Sequence, residues 1–151
     1  MTSNILDLVI LATAAAELVP IVTAGSIIYV HPPNPEAGSI FQCNANNNIR
    51  RSPCQKFGIA PYVEAIAGPA VGGTDTKADV MRRILAGLGP VEKGDAVMVG
   101  DRRFDIIGAH ELGLPVIYVT YGYGDEAERK AFQPEYTAAT VGDLKQLLLQ
   151  A

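Results

Sequence analysis

An alternation of short apolar runs with helical stretches constrains the fold of this 151-residue chain more than any other feature. The alternation lies in the second half, where residues 96–99 and 115–120 form apolar or β-branched runs and helical patterns flank them. Strands that alternate with helices indicate crossover connections, and hence a parallel sheet covered on both faces. The pattern therefore predicts an α/β fold.

Capping residues mark the boundaries of several of these predicted helices. Thr76 precedes a helical stretch with Asp79 three positions on, and Thr140 and Asp143 repeat that spacing. A hydroxyl at the start of a helix and a carboxylate at its third position can satisfy each other's backbone N–H groups. Gly113 is well placed to end the helix between the two strands.

The first half of the chain has no such pattern. Residues 1–17 are apolar and alanine-rich and would suit a helix or a strand, whereas residues 26–30 are β-prone. Residues 31–55 are rich in proline and asparagine, which favours turns over packed elements. We therefore predict that residues 1–56 form a separate, partly irregular segment.

Composition and charge exclude several classes of partner. A hydrophobic fraction of 48% with 19% charged residues is typical of a soluble globular protein, and the net charge of -4 does not favour nucleic acid or anionic membrane. The apolar residues 5–18 contain Asp7 and Glu17 and follow no basic residue, so neither a membrane span nor a signal peptide is predicted. Cys43 and Cys54 lack the spacing of metal ligands and are expected to be free thiols in a reducing cytoplasm.

The segment that most strongly indicates a catalytic or binding site follows the apolar run 96–99. Gly100 and Asp101 come at its carboxyl end, where ligands bind in open α/β sheets, and Asp105 follows in the first turn of the next helix. This spacing can bring two carboxylates together in a way that suits Mg²⁺. From the spacing alone, this metal-binding pair is about as well supported as the alternative, in which Asp101 caps the helix and Asp105 is a solvated surface residue.

Other polar residues near this segment have two interpretations each. Arg102 and Arg103 would suit an oxyanion, since guanidinium groups offer paired donors, but solvated surface arginines explain them more simply. Tyr121 and Tyr123 lie in a glycine-rich stretch and would either border a site or pack in the core. His110 falls within a helical stretch and is expected to be structural.

The segment 100–109, Gly-Asp-Arg-Arg-Phe-Asp-Ile-Ile-Gly-Ala, resembles the acidic fourth motif of phosphatases of the haloacid dehalogenase (HAD) superfamily. Residues 73–77, Gly-Thr-Asp-Thr-Lys, resemble the stretch that leads to the motif lysine of that superfamily. Residues 112–115 and 121–124 are similar to the next strand and loop of its phosphoglycolate phosphatase-like branch. The resemblance covers residues 57–151 and implies a Rossmann-like parallel sheet flanked by helices.

The resemblance also implies an activity, which is the Mg²⁺-dependent hydrolysis of a small phosphomonoester such as phosphoglycolate. Lys77, Asp101 and Asp105 would be the catalytic residues, with Asp101 and Asp105 as metal ligands. Lys77 would neutralise charge on the phosphoryl group, with Thr23 as a second phosphate-binding residue. The implied partner is a small phosphorylated metabolite, in a cytoplasmic protein without nucleic-acid or membrane partners.

The chain departs from the family pattern at the nucleophile. The family uses an aspartate in an Asp-x-Asp-Gly-Thr motif, which this sequence lacks, and the nearest candidate, Asp7, has Val9 where the second aspartate belongs. The sequence also has no room for the helical cap domain of the family. We therefore expect a truncated or frame-shifted product, a divergent protein, or a piece completed by another chain, and the abrupt start of the match at Phe57 favours the first. The alternative function is a non-catalytic binding or interaction module.

Overall fold

The computed structural model of the protein describes residues 26–30, 39–43, 65–67, 74–87, 94 and 96–150. In this part of the chain the strands are β1 (Ser26–Val30), β2 (Ser39–Cys43), β3 (Ala65–Ala67), β4 (Ala96–Gly100), β5 (Val116–Val119) and β6 (Tyr136–Ala138). The α-helices are α1 (Lys77–Gly87), α2 (Arg103–Glu111), α3 (Glu126–Phe132) and α4 (Val141–Gln150). All six strands belong to one sheet, in the order β3-β2-β1-β4-β5-β6.

The strands β4, β5 and β6 form the parallel part of this sheet. Val99 pairs with Ile117 and Ile117 with Tyr136, and α2 and α3 are the crossover helices between consecutive strands. The carboxyl ends of the three strands therefore lie at the same edge of the sheet. This arrangement confirms the predicted α/β fold with a parallel sheet and flanking helices.

The strand β1 runs against its neighbours, which the sequence pattern did not predict. Ile27 pairs with Val99 and Val30 with Ala96, so the amino end of β1 lies beside the carboxyl end of β4. On its other side β1 is antiparallel to β2, which in turn is parallel to β3. The predicted strand over residues 26–30 is thus confirmed, but as an antiparallel member of a mixed sheet.

The prediction that residues 31–55 form no packed element is wrong for β2. Ile40 and Phe41 are β-prone, and the pairing of β2 with β1 and β3 satisfies backbone groups that a turn-rich segment would leave to water. The predicted boundary between residues 1–56 and 57–151 falls outside the described residues and stays a prediction. Within the described residues, no helix combines the length and apolar character needed to cross a bilayer.

The core lies between the sheet and the helices α1 and α2. Strands β4 and β5 are buried along their whole length, as expected for strands covered on both faces. Val80, Met81 and Ile84 of α1 pack in one cluster with alternate residues of β4 and β5 and with Ile106 and Ala109 of α2. The helix α4 contacts β5 and β6 and buries two further leucines, Leu144 and Leu148, outside that cluster.

The predicted helix caps are confirmed at two helices. At α1, the Thr76 N–H donates to Asp79 Oδ2 over 2.9 Å, and the Asp79 N–H donates to Thr76 Oγ1 over 3.2 Å. At α4, Thr140 and Asp143 exchange the same two bonds, at 2.9 and 3.1 Å. Gly113 has a φ of 70° just beyond α2, the left-handed conformation that glycine adopts at helix ends.

Glu135 ties β5 to the end of α2, and this contact predicts a dependence of stability on pH. Its Oε2 accepts the Val116 N–H over 2.8 Å, and its Oε1 lies 3.0 Å from His110 Nε2. Burial raises the pKa of Glu135, but hydrogen bonds from Val116, its own N–H and His110 outweigh burial and hold the pKa below its ordinary value. The stabilisation is therefore complete above the unfolded-state pKa of about 4.3 and is lost as pH falls through the lower folded-state pKa.

We expect Glu135→Gln to lower the free energy of unfolding by up to about 1 kcal/mol at neutral pH, because the contact is partly exposed. The difference between wild type and variant should shrink as pH falls below about 4.3, because Glu135 of the unfolded wild-type chain takes up a proton there whereas Glu135 of the folded chain does so only at lower pH. Urea denaturation at neutral pH and at several acidic pH values measures this. A difference that stays constant over the whole range would contradict the prediction.

Candidate functional site

Two carboxylates meet where β4 passes into α2. The strand ends at Gly100 and presents Asp101 at the carboxyl edge of the sheet, and Asp105 is the third residue of α2. The two residues are 6% and 3% exposed, and within the described residues they are the buried charged residues. The structure thus brings together the two acids that the sequence pattern placed at this junction, and neither is a solvated surface residue.

The Asp105 carboxylate contacts both the turn before it and a lysine. Its Oδ2 accepts the N–H groups of Asp101 and Arg102 over 3.2 and 3.1 Å, which fixes the turn between β4 and α2. Its Oδ1 forms an ion pair with Lys77 Nζ at 3.1 Å. Asp105 therefore links the acidic turn to the first residue of α1.

Lys77 reaches this position because α1 and α2 approach closely. A Cβ atom on Gly108 would lie 3.1 Å from Lys77 Cβ and 3.2 Å from the Ala78 backbone nitrogen, so a larger residue would push the helices apart. The Lys77 side chain is 21% exposed, which does not fit a solvated surface lysine. The three predicted catalytic residues, Lys77, Asp101 and Asp105, are thus neighbours at one edge of the sheet.

The Asp101 carboxylate is held by the loop that follows β5. Its Oδ2 accepts the Tyr123 N–H over 2.7 Å, and a Cβ atom on Gly122 would overlap the Asp101 side chain. Burial raises the pKa of Asp101, the Tyr123 N–H opposes this, and the negative charge of Asp105 raises the pKa further. A cation bound at the site would favour the ionised form.

The side chains of the two arginines after Asp101 contact Glu128 and Phe104. Arg102 donates to both carboxylate oxygens of Glu128, from Nε over 3.2 Å and from Nη2 over 3.1 Å. The Arg103 guanidinium lies 4.9 Å from the centroid of the Phe104 ring, while the backbone N–H of Arg103 donates to Glu128 Oε2 over 3.0 Å. These contacts do not support the interpretation that the arginines bind an oxyanion, and they identify Glu128 as a residue that sequence reasoning missed.

The two tyrosines of the glycine-rich loop have different roles. The Tyr121 side chain is partly buried, and burial together with the nearby charge of Asp143 raises the pKa of its hydroxyl to about 12. The Tyr123 side chain is 74% exposed, and the residue touches Asp101 through its backbone N–H. Since any residue but proline offers that donor, the residue type gave no signal for this contact. Thr23, the predicted phosphate ligand, lies outside the described residues.

The donor atoms at this site fit Mg²⁺ better than a transition metal. Among the described residues, no group of three or more His, Cys, Asp or Glu side chains is placed to hold a metal ion. Zinc needs three or four protein ligands, whereas Mg²⁺ is commonly held by one or two carboxylates, water and substrate phosphate. Asp101 and Asp105 supply such a pair. His110 is bonded to Glu135 at the far end of α2 and takes no part.

A buried acid pair with a lysine at the carboxyl edge of a parallel sheet defines an α/β protein suited to a cation and an anionic ligand. Residues 76–144 match the family model described as HAD-hydrolase-like. This part of the chain is therefore similar to the haloacid dehalogenase-like hydrolases, as the sequence resemblance implied.

Three known proteins illustrate the relationship. A 5′-nucleotidase of Pseudomonas aeruginosa is 34% identical over 99 residues, which are 65% of this chain and 44% of that protein. A phosphoglycolate phosphatase of Rhodospirillum rubrum is 29% identical over 129 residues, 77% of this chain and 51% of that protein. The solved structure of protein tyrosine kinase A of Mycobacterium tuberculosis has 32% identity and a TM-score of 0.56, over 70% of this chain and 51% of that one. The chain spans about half the length of each.

Proposed function

We propose that Lys77, Asp101 and Asp105 bind Mg²⁺ and the phosphoryl group of a small phosphomonoester, as part of a phosphatase site. The observation that carries this proposal is the 3.1 Å ion pair of Lys77 with the buried Asp105, beside the buried Asp101. Two carboxylates and one ammonium leave the site with a net negative charge, which repels phosphate. A divalent cation would reverse that charge, and both the carboxylates and the phosphate would supply oxygen ligands to it.

The relatives support a phosphomonoester as the ligand. Two of them are named a 5′-nucleotidase and a phosphoglycolate phosphatase, and the third is named a tyrosine kinase. All three names refer to chemistry at phosphate, and two of them to phosphate esters of small molecules. We take phosphoglycolate and nucleoside monophosphates as the first ligands to test.

A second candidate function is binding without turnover, and the direction of β1 favours it. A nucleophile at the carboxyl end of a parallel strand next to β4 would lie beside Asp101. In this protein β1, the neighbour of β4 on the side away from β5, is antiparallel to it, so the last residue of β1, Val30, pairs with Ala96 at the opposite edge of the sheet. The sequence also has no Asp-x-Asp-Gly-Thr motif. A site without its nucleophile would lose most of the acceleration of phosphate-ester hydrolysis.

Asp101→Asn is expected to weaken Mg²⁺ binding at least about tenfold, because it removes the charge of one of two carboxylate ligands while it keeps the size of the side chain. Isothermal titration calorimetry with MgCl₂ measures this. Asp79→Asn is the matched control, since it removes the charge of an exposed carboxylate that caps α1. Equal losses of affinity in the two variants would contradict an Mg²⁺ site at Asp101.

Hydrolysis assays with Mg²⁺ and a panel of phosphomonoesters separate the two candidate functions. Turnover that disappears in Asp101→Asn would identify a phosphatase. Mg²⁺-dependent binding of inorganic phosphate without turnover would identify a binding module. A folded protein that binds neither Mg²⁺ nor phosphate would refute both.

A further inference from the structure

We propose that Glu128 is a positioning residue, which orients the Asp101 carboxylate for its cation from a different helix. The proposal rests on the Mg²⁺ site proposed above and concerns α3, which supplies no ligand to that site. It is carried by contacts that join α3 to Asp101 along two routes. One route reaches the residues that follow Asp101, and the other reaches the carboxylate itself.

The first route joins Glu128 to the turn after β4. The Glu128 side chain is 15% exposed and accepts three hydrogen bonds from two consecutive residues. Two come from the Arg102 guanidinium and one comes from the Arg103 N–H, all between 3.0 and 3.2 Å. Paired bonds between a guanidinium and a carboxylate are strong and fix direction as well as distance. The two residues that follow Asp101 are therefore fastened to α3.

The second route joins the start of α3 to the Asp101 carboxylate. The Glu128 N–H donates to Asp125 Oδ1 over 2.7 Å, and the Tyr118 hydroxyl donates to the Asp125 carbonyl oxygen over 3.3 Å. Two residues earlier, the Tyr123 N–H donates to Asp101 Oδ2. The loop between β5 and α3 is thus fixed at Asp125 and contacts the carboxylate at Tyr123.

This loop has little room to move relative to Asp101. A Cβ atom on Gly122 would overlap the Asp101 side chain, and one on Gly124 would overlap the Asp101 carbonyl oxygen and the Tyr118 hydroxyl. Backbone packed this closely transmits a displacement of α3 to the Asp101 carboxylate. The two routes therefore form a closed ring of contacts that includes Asp101. Glu128 belongs to both routes, through its carboxylate in the first and through its backbone N–H in the second.

Polar contacts contribute much of what holds α3 in place. None of its residues is fully buried, although Phe132 is partly buried against the core. Loss of the Glu128 carboxylate would therefore loosen the start of α3 without opening the core. Partners that orient a metal ligand in this way commonly contribute 10- to 100-fold in metal affinity.

The test compares Glu128→Gln with Glu126→Gln, a change of the same charge two residues earlier in α3. Glu126 pairs with Arg129 and Lys130 within its own helix. We expect the Kd for Mg²⁺, measured by calorimetry, to rise about 10- to 100-fold in Glu128→Gln and to change less than about twofold in Glu126→Gln. Equal effects in the two variants would overturn the proposal.

Arg102→Gln separates positioning from simple electrostatics. Removal of a positive charge next to Asp101 would strengthen cation binding if charge alone mattered. If the bridge to Glu128 positions the carboxylate, Arg102→Gln must instead weaken Mg²⁺ binding, as Glu128→Gln does. Tighter binding of Mg²⁺ by Arg102→Gln would overturn the proposal. Arg102 is an exposed residue, so this variant keeps the test open if Glu128→Gln fails to fold.

A readout without metal distinguishes failure of this inference from failure of the proposed site. The Tyr123 amide proton reports the hydrogen bond to Asp101, and we expect it to exchange with solvent at least about tenfold faster in Glu128→Gln than in wild type. If wild type binds no Mg²⁺, the proposed function fails and the exchange rate still decides the role of Glu128. Unchanged protection of Tyr123 in Glu128→Gln would overturn the inference even where Mg²⁺ binds.

Discussion

Gly124→Ala is expected to destabilise the protein by about 3 kcal/mol, at the upper end of the range for overpacking a tight contact. The added methyl group would overlap the Asp101 carbonyl oxygen and the Tyr118 hydroxyl. The first is backbone in the turn after β4, and the second is held on a fully buried strand residue. Since neither can move aside alone, the loop must shift away from Asp101. Denaturation by urea measures the loss of stability, and Mg²⁺ titration measures the effect on the site.

Gly142→Ala is the control for this substitution. The nearest atom to its added methyl group is Thr140 Oγ1 at 3.6 Å, an ordinary contact, and the residue is exposed in the first turn of α4. Alanine is favoured over glycine within a helix by roughly 0.5–1 kcal/mol, so this variant should be neutral or slightly more stable. Equal destabilisation by the two substitutions would contradict the close packing proposed at Gly124.

The parts of the fold that depend on residues close together in the sequence were predictable from the sequence. The caps at Thr76 and Thr140 follow from a hydroxyl and a carboxylate three residues apart, and β4 follows from an apolar run that ends at Gly-Asp. Each of these signals lies within a few residues, where spacing determines geometry.

Features that depend on distant parts of the chain were not predictable. Nothing in residues 26–30 specifies whether β1 pairs with β4 in the parallel or the antiparallel sense, because the side-chain alternation is the same in both. Strands of three residues, such as β3 and β6, are too short to show a period. The bridge from Glu128 to Arg102 spans 26 positions and depends on how α3 lies on the turn after β4.

The candidate site was predictable as a set of residues but not as a set of contacts. The resemblance named Lys77, Asp101 and Asp105, whereas the structure shows that Asp105 joins the lysine to the acidic turn. That contact requires the close approach of α1 and α2 at Gly108, which involves residues 31 positions apart. The family roles of the three residues remain predictions for experiment.

Asp105→Ala is expected to cost about 3–5 kcal/mol of stability, as much as removing one partner of a buried ion pair. The substitution leaves the N–H groups of Asp101 and Arg102 without their acceptor, and it removes the carboxylate that Lys77 contacts. Unsatisfied buried donors alone cost about 1–3 kcal/mol. Urea denaturation at neutral pH in the absence of metal measures the loss, so that effects on cation binding do not contribute.

Asp79→Ala provides the matched control, because Asp79 is the third residue of α1 as Asp105 is of α2. It also accepts a backbone N–H near the start of its helix, but its side chain is 43% exposed. Water can replace the lost acceptor there, so the expected cost is that of an exposed helix cap and is clearly smaller than the cost at Asp105. Equal losses for Asp79→Ala and Asp105→Ala would show that burial adds nothing at Asp105.

Asp105→Asn then separates the two contributions of Asp105 to stability, which are its hydrogen bonds from the backbone N–H groups and its ion pair with Lys77. The amide keeps an oxygen that can accept from the backbone N–H groups, but it has no charge for Lys77. If the hydrogen bonds dominate, Asp105→Asn should recover most of the stability that Asp105→Ala loses. If the ion pair dominates, the two variants should be similar, and Lys77→Met should then cause little further loss in the Asp105→Asn background, since the charge partner is already gone. The comparison thus tells whether Asp105 serves first to shape the turn that carries Asp101 or to hold the lysine.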